Sequence, residues 1–314
     1  MQFLNSLLNS MPGAVAQGLI WGIMAIGVYI TFRILDIADL SVDGSFCTGG
    51  AVCVILTING VPMAAALVAA LVAGFLAGFI TGVLHTKMGI PAILAGILTQ
   101  LALYSVNLRI MGFGTSAGSR SNLPVSVDKY SLWVSARYVR DLSTKNPLPV
   151  ILLFVFAVIV LTYVFFGTEI GASLRATGAN AQMARAQGIN TDSTKVMGLM
   201  LSNGLVALSG ALYSQYQGFS DINMGRGAIV IGLAAIIIGE TLFLKYFRHN
   251  LGLIMFSCAI GAVVYYVVIQ IILKLGLSTD DLKLLTATVV AVFLAIPNLK
   301  LRRRTWKKGG KLHA

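Results

Sequence analysis

Charged residues are scarce in this chain of 314 residues. Asp, Glu, Lys and Arg make up 11% of it, whereas a soluble domain carries about 25%. Hydrophobic residues make up 57%, and the mean hydropathy is +0.86. Because a soluble protein of this length has too little interior to bury so much apolar surface, lipid must solvate much of the chain. The composition therefore predicts an all-α polytopic membrane protein that has the lipid bilayer as a partner.

The sequence also lacks the motifs of several catalytic and metal-binding classes. It contains no GxxxxGK[ST] phosphate-binding loop, no HExxH and no CxxC. Its histidines are scattered over loop ends and the C-terminal tail: His85, His249 and His313. Its cysteines lie in apolar surroundings and predict no disulfide framework: Cys47, Cys53 and Cys258. We therefore expect no catalytic residue, no metal site and no cofactor on this chain.

Negative charge is in short supply: 11 Asp and Glu residues stand against 23 Lys and Arg, a formal net charge of +12. Such an excess can indicate nucleic acid binding. Here, however, many of the basic residues lie in the tail 300–314, directly after the last apolar run. A basic tail beside a membrane segment is the usual cytoplasmic anchor. The tail therefore predicts a cytoplasmic C-terminus, and no nucleic acid partner is expected.

Nine apolar runs are candidate membrane segments, given that about 20 apolar residues cross a bilayer core. They are 14–32, 45–58, 63–83, 90–111, 148–166, 196–215, 228–244, 252–275 and 282–296. The second run is broken by glycines and the seventh is short, so each could be re-entrant. The prediction is about 8–10 transmembrane helices in one domain, 1–314, with halves at about 1–147 and 148–300. Counting back from a cytoplasmic tail places the N-terminus outside and the larger share of Lys and Arg inside.

Two stretches of the sequence resemble each other. AQGLIWGIMAIG, which begins at Ala16, leads to LDIADLSVDG, and LSNGLVALSGAL, which begins at Leu201, leads to FSDINMGRG. The two copies lie five segments apart, so they must face opposite ways across the membrane. A weak inverted repeat with interrupted helices is typical of transporters, in which the breaks point to the substrate path.

Glycines four residues apart form a flat stripe on the third segment: Gly74, Gly78 and Gly82. The first segment carries a shorter stripe, Gly18 and Gly22. Such stripes let another helix backbone approach closely. We expect this packing within the chain rather than between subunits.

Polar side chains near the two breaks could line a path for a small zwitterion. They are Ser41, Ser45, Thr48, Asn203, Ser214, Gln217 and Asn223. The same residues could equally be polar packing between helices, and both interpretations remain open. Acidic residues near segment ends are interpreted as solvated anchors: Asp36, Asp39, Asp43 and Glu240. Because the long segments hold almost no ionisable residue of the kind that ion-coupled carriers use, we expect another subunit to supply the energy.

The segment RATGANAQMARAQGIN, which begins at Arg175, is small, polar and basic, and lies in a predicted cytoplasmic loop, 167–195. Asn180 can cap a helix, residues 181–187 are strong helix formers, and Gly188 can end the helix in a left-handed conformation. The segment therefore predicts a two-turn helix outside the membrane, with Arg185 and Gln187 available to solvent. It could dock on a cytoplasmic partner or simply lie solvated at the interface, and the residues alone leave both open.

Three stretches carry a resemblance to a known family: 174–189, 202–211 and 232–240. They contain an LRA-x-G-x-N…A…GI loop, a helix rich in small residues and a run like GxxAIxxxxLGG. With these, the chain resembles the inner-membrane permeases of the branched-chain amino-acid and ribose-type ABC importers. It departs from them at Gly239–Glu240, where paired glycines are usual.

The resemblance implies that the whole chain is one transmembrane permease domain and that 167–195 is a coupling loop docked on an ATP-binding subunit. The residues assigned to that contact are Arg175, Gly178, Ala179, Asn180, Ala181, Gln182, Met183, Ala184, Arg185, Ala186, Gln187 and Gly188. It also implies a second, identical permease chain, two ATP-binding subunits that use the ATP, and an extracytoplasmic solute-binding protein. The location implied is the bacterial plasma (inner) membrane. The solute expected is an amino acid, branched-chain or aromatic; the alternatives are a sugar or nucleoside importer and an ion-coupled secondary transporter.

Overall fold

The structure is a computed structural model that describes residues 2–115, 118–139, 146–247 and 250–274, together with 284, 287, 288 and 290–292. The described α-helices are α1 (Gln2–Tyr29), α2 (Val42–Ile58), α3 (Met63–Thr86), α4 (Ala92–Met111), α5 (Pro147–Gly167), α6 (Glu169–Ala179), α7 (Ala181–Ala186), α8 (Thr191–Gln217), α9 (Ala228–Phe247) and α10 (Leu251–Lys274). A π-helical turn, Ile30–Ile34, continues α1, and a 3₁₀ turn covers Ala136–Tyr138. Two short strands, β1 (Asn122–Pro124) and β2 (Phe219–Asp221), pair antiparallel.

The all-α membrane architecture predicted from composition is confirmed. Six of the described helical stretches are long and apolar enough to cross a membrane: Leu7–Ile34, Met63–Thr86, Ala92–Met111, Pro147–Gly167, Thr191–Gln217 and Leu251–Lys274. Two shorter apolar helices, Val42–Ile58 and Ala228–Phe243, correspond to the predicted second and seventh segments. Most of the predicted ninth segment, 282–296, lies outside the described residues, and the tail 300–314 lies entirely outside them.

The prediction that glycines break the second segment is wrong: α2 is a continuous helix of 17 residues. The reason lies in its packing against α8. A Cβ on Gly49 would overlap the backbone of Ala207, and a Cβ on Gly210 would overlap the carbonyl of Phe46. Glycine at these positions lets the two backbones touch, and burial of both helices offsets the low helix propensity of glycine. The breaks between the helices fall instead at residues 35–41 and 218–227.

The central pair of helices, α1 and α8, packs antiparallel. Ser209 Oγ donates to the carbonyl of Ile20 at 2.7 Å, and Ser202 Oγ donates to the carbonyl of Gly27 at 2.7 Å. α3 packs along α8, and α10 packs along α1. If the two halves of the chain are exchanged, α1 takes the place of α8 and α3 takes the place of α10. The α3–α8 pair then becomes the α10–α1 pair, as an inverted repeat requires.

Both predicted glycine stripes lie in these pairs, so they serve packing within the chain. The stripe of α3 faces α8: Gly74, Gly78 and Gly82 lie against residues 196–207. The stripe of α1 faces α10, with Gly18 against Val263 and Gly22 against Ala259. Since each Cβ built on these glycines would meet backbone at 3.0 Å or less, the backbones approach as closely as such motifs allow.

The helix directions divide the molecule into two ends. α1, α3, α5 and α9 run toward the end where the short helices α6 and α7 lie. α2, α4, α8 and α10 run toward the other end, where β1 pairs with β2. We call these the α6–α7 end and the β-sheet end.

Candidate coupling element and substrate path

The predicted short helix is present as α7, within the local structure that the sequence indicates. Asn180 Oδ1 accepts hydrogen bonds from the backbone N–H groups of Gln182 and Met183, both at 3.0 Å. Gly188 follows with φ +82°, a left-handed conformation that ends the element. The predicted loop 167–195 is, however, more helical than expected, since α6 precedes α7 and α8 already begins at Thr191.

α6 is fixed to the ends of two long helices. Leu174 is fully buried, and a Cβ on Gly178 would overlap the carbonyl oxygen of Ile34 in the π-helical turn. The hydroxyls of Thr177 and Thr194 hydrogen-bond at 3.0 Å and join α6 to α8. α6 therefore contacts α1 and α8 without a flexible side chain between it and the end of α1.

α7 is fixed to the start of α8 by Arg185. Its Nε donates to Thr191 Oγ1 at 2.6 Å, and its Nη2 donates to Asp192 Oδ1 at 3.0 Å. Ala184 is only 4% exposed and packs inward, whereas Met183 is 65% exposed. The predicted contact residues that face solvent are Arg175, Ala179, Asn180, Gln182, Met183, Arg185, Ala186, Gln187 and Gly188, while Gly178 and Ala181 are half-buried. α7 thus presents a solvent face that is attached directly to α8, while the preceding α6 contacts the end of α1.

A buried polar seam joins the start of α2 to α8, and three of the predicted path residues belong to it. Ser45 Oγ donates to Asn203 Oδ1 at 2.6 Å, and Ser41 Oγ lies 3.1 Å from the same oxygen. The fourth member is Asp39, which accepts from Ser41 Oγ at 2.6 Å and from Asn203 Nδ2 at 2.7 Å. Asp39 is 2% exposed, so the interpretation of it as a solvated anchor is wrong. Asn203 supplies both a donor and an acceptor, which satisfies the seam within the chain.

The other predicted path residues do not join this seam. Thr48 and Ser214 are buried, and their hydroxyls donate to carbonyls of their own helices, Gly44 and Ala211. Gln217 and Asn223 are exposed at the β-sheet end. The structure therefore brings three of the seven predicted path residues together in the seam, and the other four lie apart from it.

Two other acidic residues that were interpreted as solvated anchors also have partners. Glu240, at the site where the resembled family has glycine, forms an ion pair with Arg33 of the π-helical turn. This pair links the ends of α1 and α9. Asp43 accepts hydrogen bonds from the backbone N–H groups of Gly227 and Ile229, at 3.0 and 3.1 Å, and so caps the start of α9. Asp36 is exposed, as expected.

A groove beside α4, between the first turn of α2 and the turn after β2, contains functional candidates that the sequence reasoning missed. It has a cavity of about 130 Å³ lined by Asp43, Gln100, Tyr104, Asn107 and Arg226, among others. Gln100, Tyr104 and Asn107 are spaced i, i+4, i+7, which places them on one face of α4. A polar stripe at helical spacing in an otherwise apolar segment was the signal that could have found this groove.

Comparison with known proteins gives a family, two similar full-length relatives and one solved structure with the same fold. Residues 11–297 match a protein family described as the branched-chain amino acid transport system permease component. The tyrosine transport system permease protein of Clostridioides difficile (strain R20291) is 41% identical over 296 residues, which cover 94% of this chain and 93% of that protein. An uncharacterized protein of Rickettsia prowazekii (strain Madrid E) is 34% identical over 291 residues, 92% of this chain and 98% of that protein. Among solved structures, PsaBC from Streptococcus pneumoniae in complex with Fab shares the fold: its TM-score is 0.53 at 15% identity, over 93% of this chain and 94% of that chain.

Proposed function

Since the chain belongs to the family of branched-chain amino acid transport system permease components, we propose that it forms the path by which an ATP-driven ABC importer moves an amino acid into the bacterial cytoplasm. The observation that carries this proposal is the α6–α7 element. It is a solvent-exposed helix pair with an apolar side chain on its surface and rigid attachments to α1 and α8. Two ATP-binding subunits dock there and supply the energy, so this chain holds no ATP itself.

The attachments explain how such a partner could move the membrane helices. A displacement of α7 passes to α8 through Arg185, and a displacement of α6 passes to α1 through the contact of Gly178 with Ile34. α1 and α8 are the central pair of the bundle, and α8 also carries Asn203 of the buried seam. Closure of the ATP-binding subunits therefore biases the bundle between outward-open and inward-open states as a rigid-body movement.

In this proposal the α6–α7 end faces the cytoplasm of a bacterial plasma (inner) membrane. Described basic residues at that end include Arg33, Lys87, Arg175, Arg185 and Lys195. α10 ends at the β-sheet end, so one further crossing by segment 282–296 would return the basic tail 300–314 to the same side. That side then carries the larger positive charge, as cytoplasmic surfaces do. The β-sheet end faces outward, where a solute-binding protein delivers the solute.

A second copy of this chain completes the pathway in the proposal. Within the most apolar part of α4, and likewise of α5, only 28% is buried inside the chain, which leaves wide apolar faces for lipid and for another subunit. The solute is an amino acid, and the name of the relative in Clostridioides difficile supports an aromatic one, tyrosine. A sugar or nucleoside is the alternative cargo of such an importer.

One observation favours a second candidate function, an ion-coupled secondary transporter. Asp39 is a buried carboxylate between two helices, and carriers that couple to protons or sodium keep such groups at membrane depth. In the structure its oxygens already accept hydrogen bonds from Ser41 and Asn203. These bonds explain the buried carboxylate as a link between helices, without a bound ion. We therefore rank this function second.

The experiment that separates the two functions is reconstitution in liposomes. The chain is prepared alone and together with its ATP-binding subunits and solute-binding protein, and uptake of radiolabelled L-tyrosine, L-leucine and D-ribose is measured. We expect L-tyrosine uptake only in the full assembly and only with ATP. Uptake by the chain alone, driven by a proton or sodium gradient, would overturn the proposal and support the carrier.

A further inference from the structure

The groove beside α4 places opposite charges around one small cavity. Asp43 comes from the first turn of α2, and Arg226 comes from the turn between β2 and α9. Between them, α4 contributes the amide and hydroxyl groups of Gln100, Tyr104 and Asn107. An apolar helix of a membrane protein does not need these groups for lipid contact, so their convergence requires another explanation.

The carboxylate of Asp43 is held in place. One of its oxygens accepts from Gly227 N–H at 3.0 Å, and the other accepts from Ile229 N–H at 3.1 Å. Both donors lie at the start of α9, where the helix dipole stabilises negative charge. Each carboxylate oxygen has a second lone pair, so the group can accept further hydrogen bonds from a ligand in the groove.

Two further groups of the groove have unused bonding capacity. Asn107 is 1% exposed; its Nδ2 donates to the carbonyl of Gly44 at 3.3 Å, but its Oδ1 has no hydrogen-bond partner among the described residues. A buried acceptor without a partner is costly, and native structures keep few of them. Arg226 is exposed and forms no ion pair with any other residue that the structure describes.

We propose that this groove is a transport subsite for the charged head group of an α-amino acid. The ammonium group donates to Asp43 and to Asn107 Oδ1, and the carboxylate accepts from Arg226. A cavity of about 130 Å³ holds about four water molecules and so matches the five non-hydrogen atoms of the head group rather than a whole tyrosine. The amino-acid side chain extends past Tyr104, whose ring is partly exposed at the rim. This inference rests on the proposed function, because it takes an amino acid as the solute.

Arg226 is the residue to test, since it is exposed and its removal breaks no hydrogen bond or ion pair among the described residues. In the reconstituted assembly, Arg226→Gln should lower ATP-driven uptake of L-tyrosine about tenfold or more, because one charge-assisted hydrogen bond is lost. Stimulation of ATP hydrolysis by the solute-binding protein should change less than about twofold, which shows that the variant is folded and assembled. Arg226→Lys should retain most of the uptake. Arg120→Gln, an exposed arginine at the same end but outside the groove, is the matched control.

A second measurement tests the groove without transport. Leu101 lines the cavity and is exposed, so Leu101→Cys should react with a methanethiosulfonate reagent in the purified chain. We expect L-tyrosine to slow that reaction, and tyramine, which lacks the carboxylate, to slow it much less. The difference between the two ligands should disappear when Arg226→Gln is added.

The outcomes keep the subsite separate from the proposed function. If the wild-type assembly shows no ATP-driven uptake of any amino acid, the proposed function fails. If the wild-type assembly imports L-tyrosine but Arg226→Gln imports it equally well, the subsite is wrong and the proposed function stands. Equal protection by tyramine and L-tyrosine in the Leu101→Cys chain would also overturn the subsite.

Discussion

At the scale of single residues, the buried seam depends on Asn203. Its side chain accepts from Ser45 and donates to Asp39 and to the carbonyl of Leu199. Asn203→Ala would leave the buried Asp39 carboxylate short of a donor, at a cost of about 3 kcal/mol. We expect a clear fall in the thermal unfolding temperature of the purified protein.

Asn223 supplies the matched control for that prediction. It was predicted from the same kind of sequence position, but it is exposed in the turn after β2. Asn223→Ala should leave the unfolding temperature within a degree or so of the wild type, since exposed substitutions usually change stability by less than about 0.5 kcal/mol. Equal effects of the two substitutions would mean that the seam does not stabilise the fold.

The seam also shows where residue-level prediction stops. Ser41, Ser45 and Asn203 could be named from the sequence because they lie near the breaks between helices. Asp39 was misjudged because nothing in the run IADLS tells a solvated aspartate from a buried one. Asp39 is buried against Asn203, 164 positions away in the chain, and against Gly96 of α4, and one sequence does not show those contacts.

At the scale of elements, the exposed face of α7 is expected to meet the ATP-binding subunits. Met183 is the large apolar side chain of that face, so Met183→Glu should place a desolvated charge in the contact. We expect ATP-driven uptake, and co-purification of the ATP-binding subunits, to fall about tenfold. Ala184 is unsuitable for this test, because its side chain is buried and a bulky substitution there would disrupt α7 itself.

Met88 provides the control for Met183. It lies just after α3, at the same end of the molecule, and is 66% exposed against 65% for Met183. Met88→Glu should leave uptake and co-purification unchanged. If Met88→Glu lowers uptake and co-purification as much as Met183→Glu does, any negative charge added at that end disturbs the assembly. The assignment of α7 as the docking element would then be wrong.

The attachment of α6 gives a prediction for the same element. A Cβ in Gly178→Ala would overlap the carbonyl oxygen of Ile34, so α6 would have to move away from the end of α1. We expect ATP hydrolysis to continue while uptake falls, since the connection to α1 is lost. Gly167→Ala is the control, because a Cβ there meets nothing within 4 Å. Unchanged uptake by Gly178→Ala would show that α1 does not transmit the movement.

Elements with local signals were predictable, and elements defined by tertiary contacts were not. Asn180 and Gly188 specify both ends of α7, so the helix could be predicted from about ten residues. The continuity of α2 could not be predicted, because its glycines indicate a broken helix in the sequence alone. Only the structure shows that they pack against the backbone of α8. The groove beside α4 falls between these cases: its polar stripe is visible in the sequence, but Asp43 and Arg226 join it only in the fold.

At the scale of the whole molecule, the composition was sufficient to predict an all-α bundle, and the repeat indicated its inverted symmetry. The structure adds the helix directions, which place α6 and α7 at one end and β1 and β2 at the other. The proposed mechanism requires these ends to lie on opposite sides of the membrane. The docking element must face the ATP-binding subunits, and the groove with Arg226 must face the incoming solute.

This arrangement can be tested by labelling from either side of the membrane. Gln187 is exposed at the α6–α7 end and Lys129 is exposed at the β-sheet end, whereas the native cysteines are all buried: Cys47, Cys53 and Cys258. With a membrane-impermeant maleimide, Gln187→Cys should be labelled in inside-out vesicles and Lys129→Cys in right-side-out vesicles. The reverse pattern would place α7 outside the cell, where no ATP-binding subunit could reach it. Labelling of both variants from one side would contradict the opposite placement of the two ends.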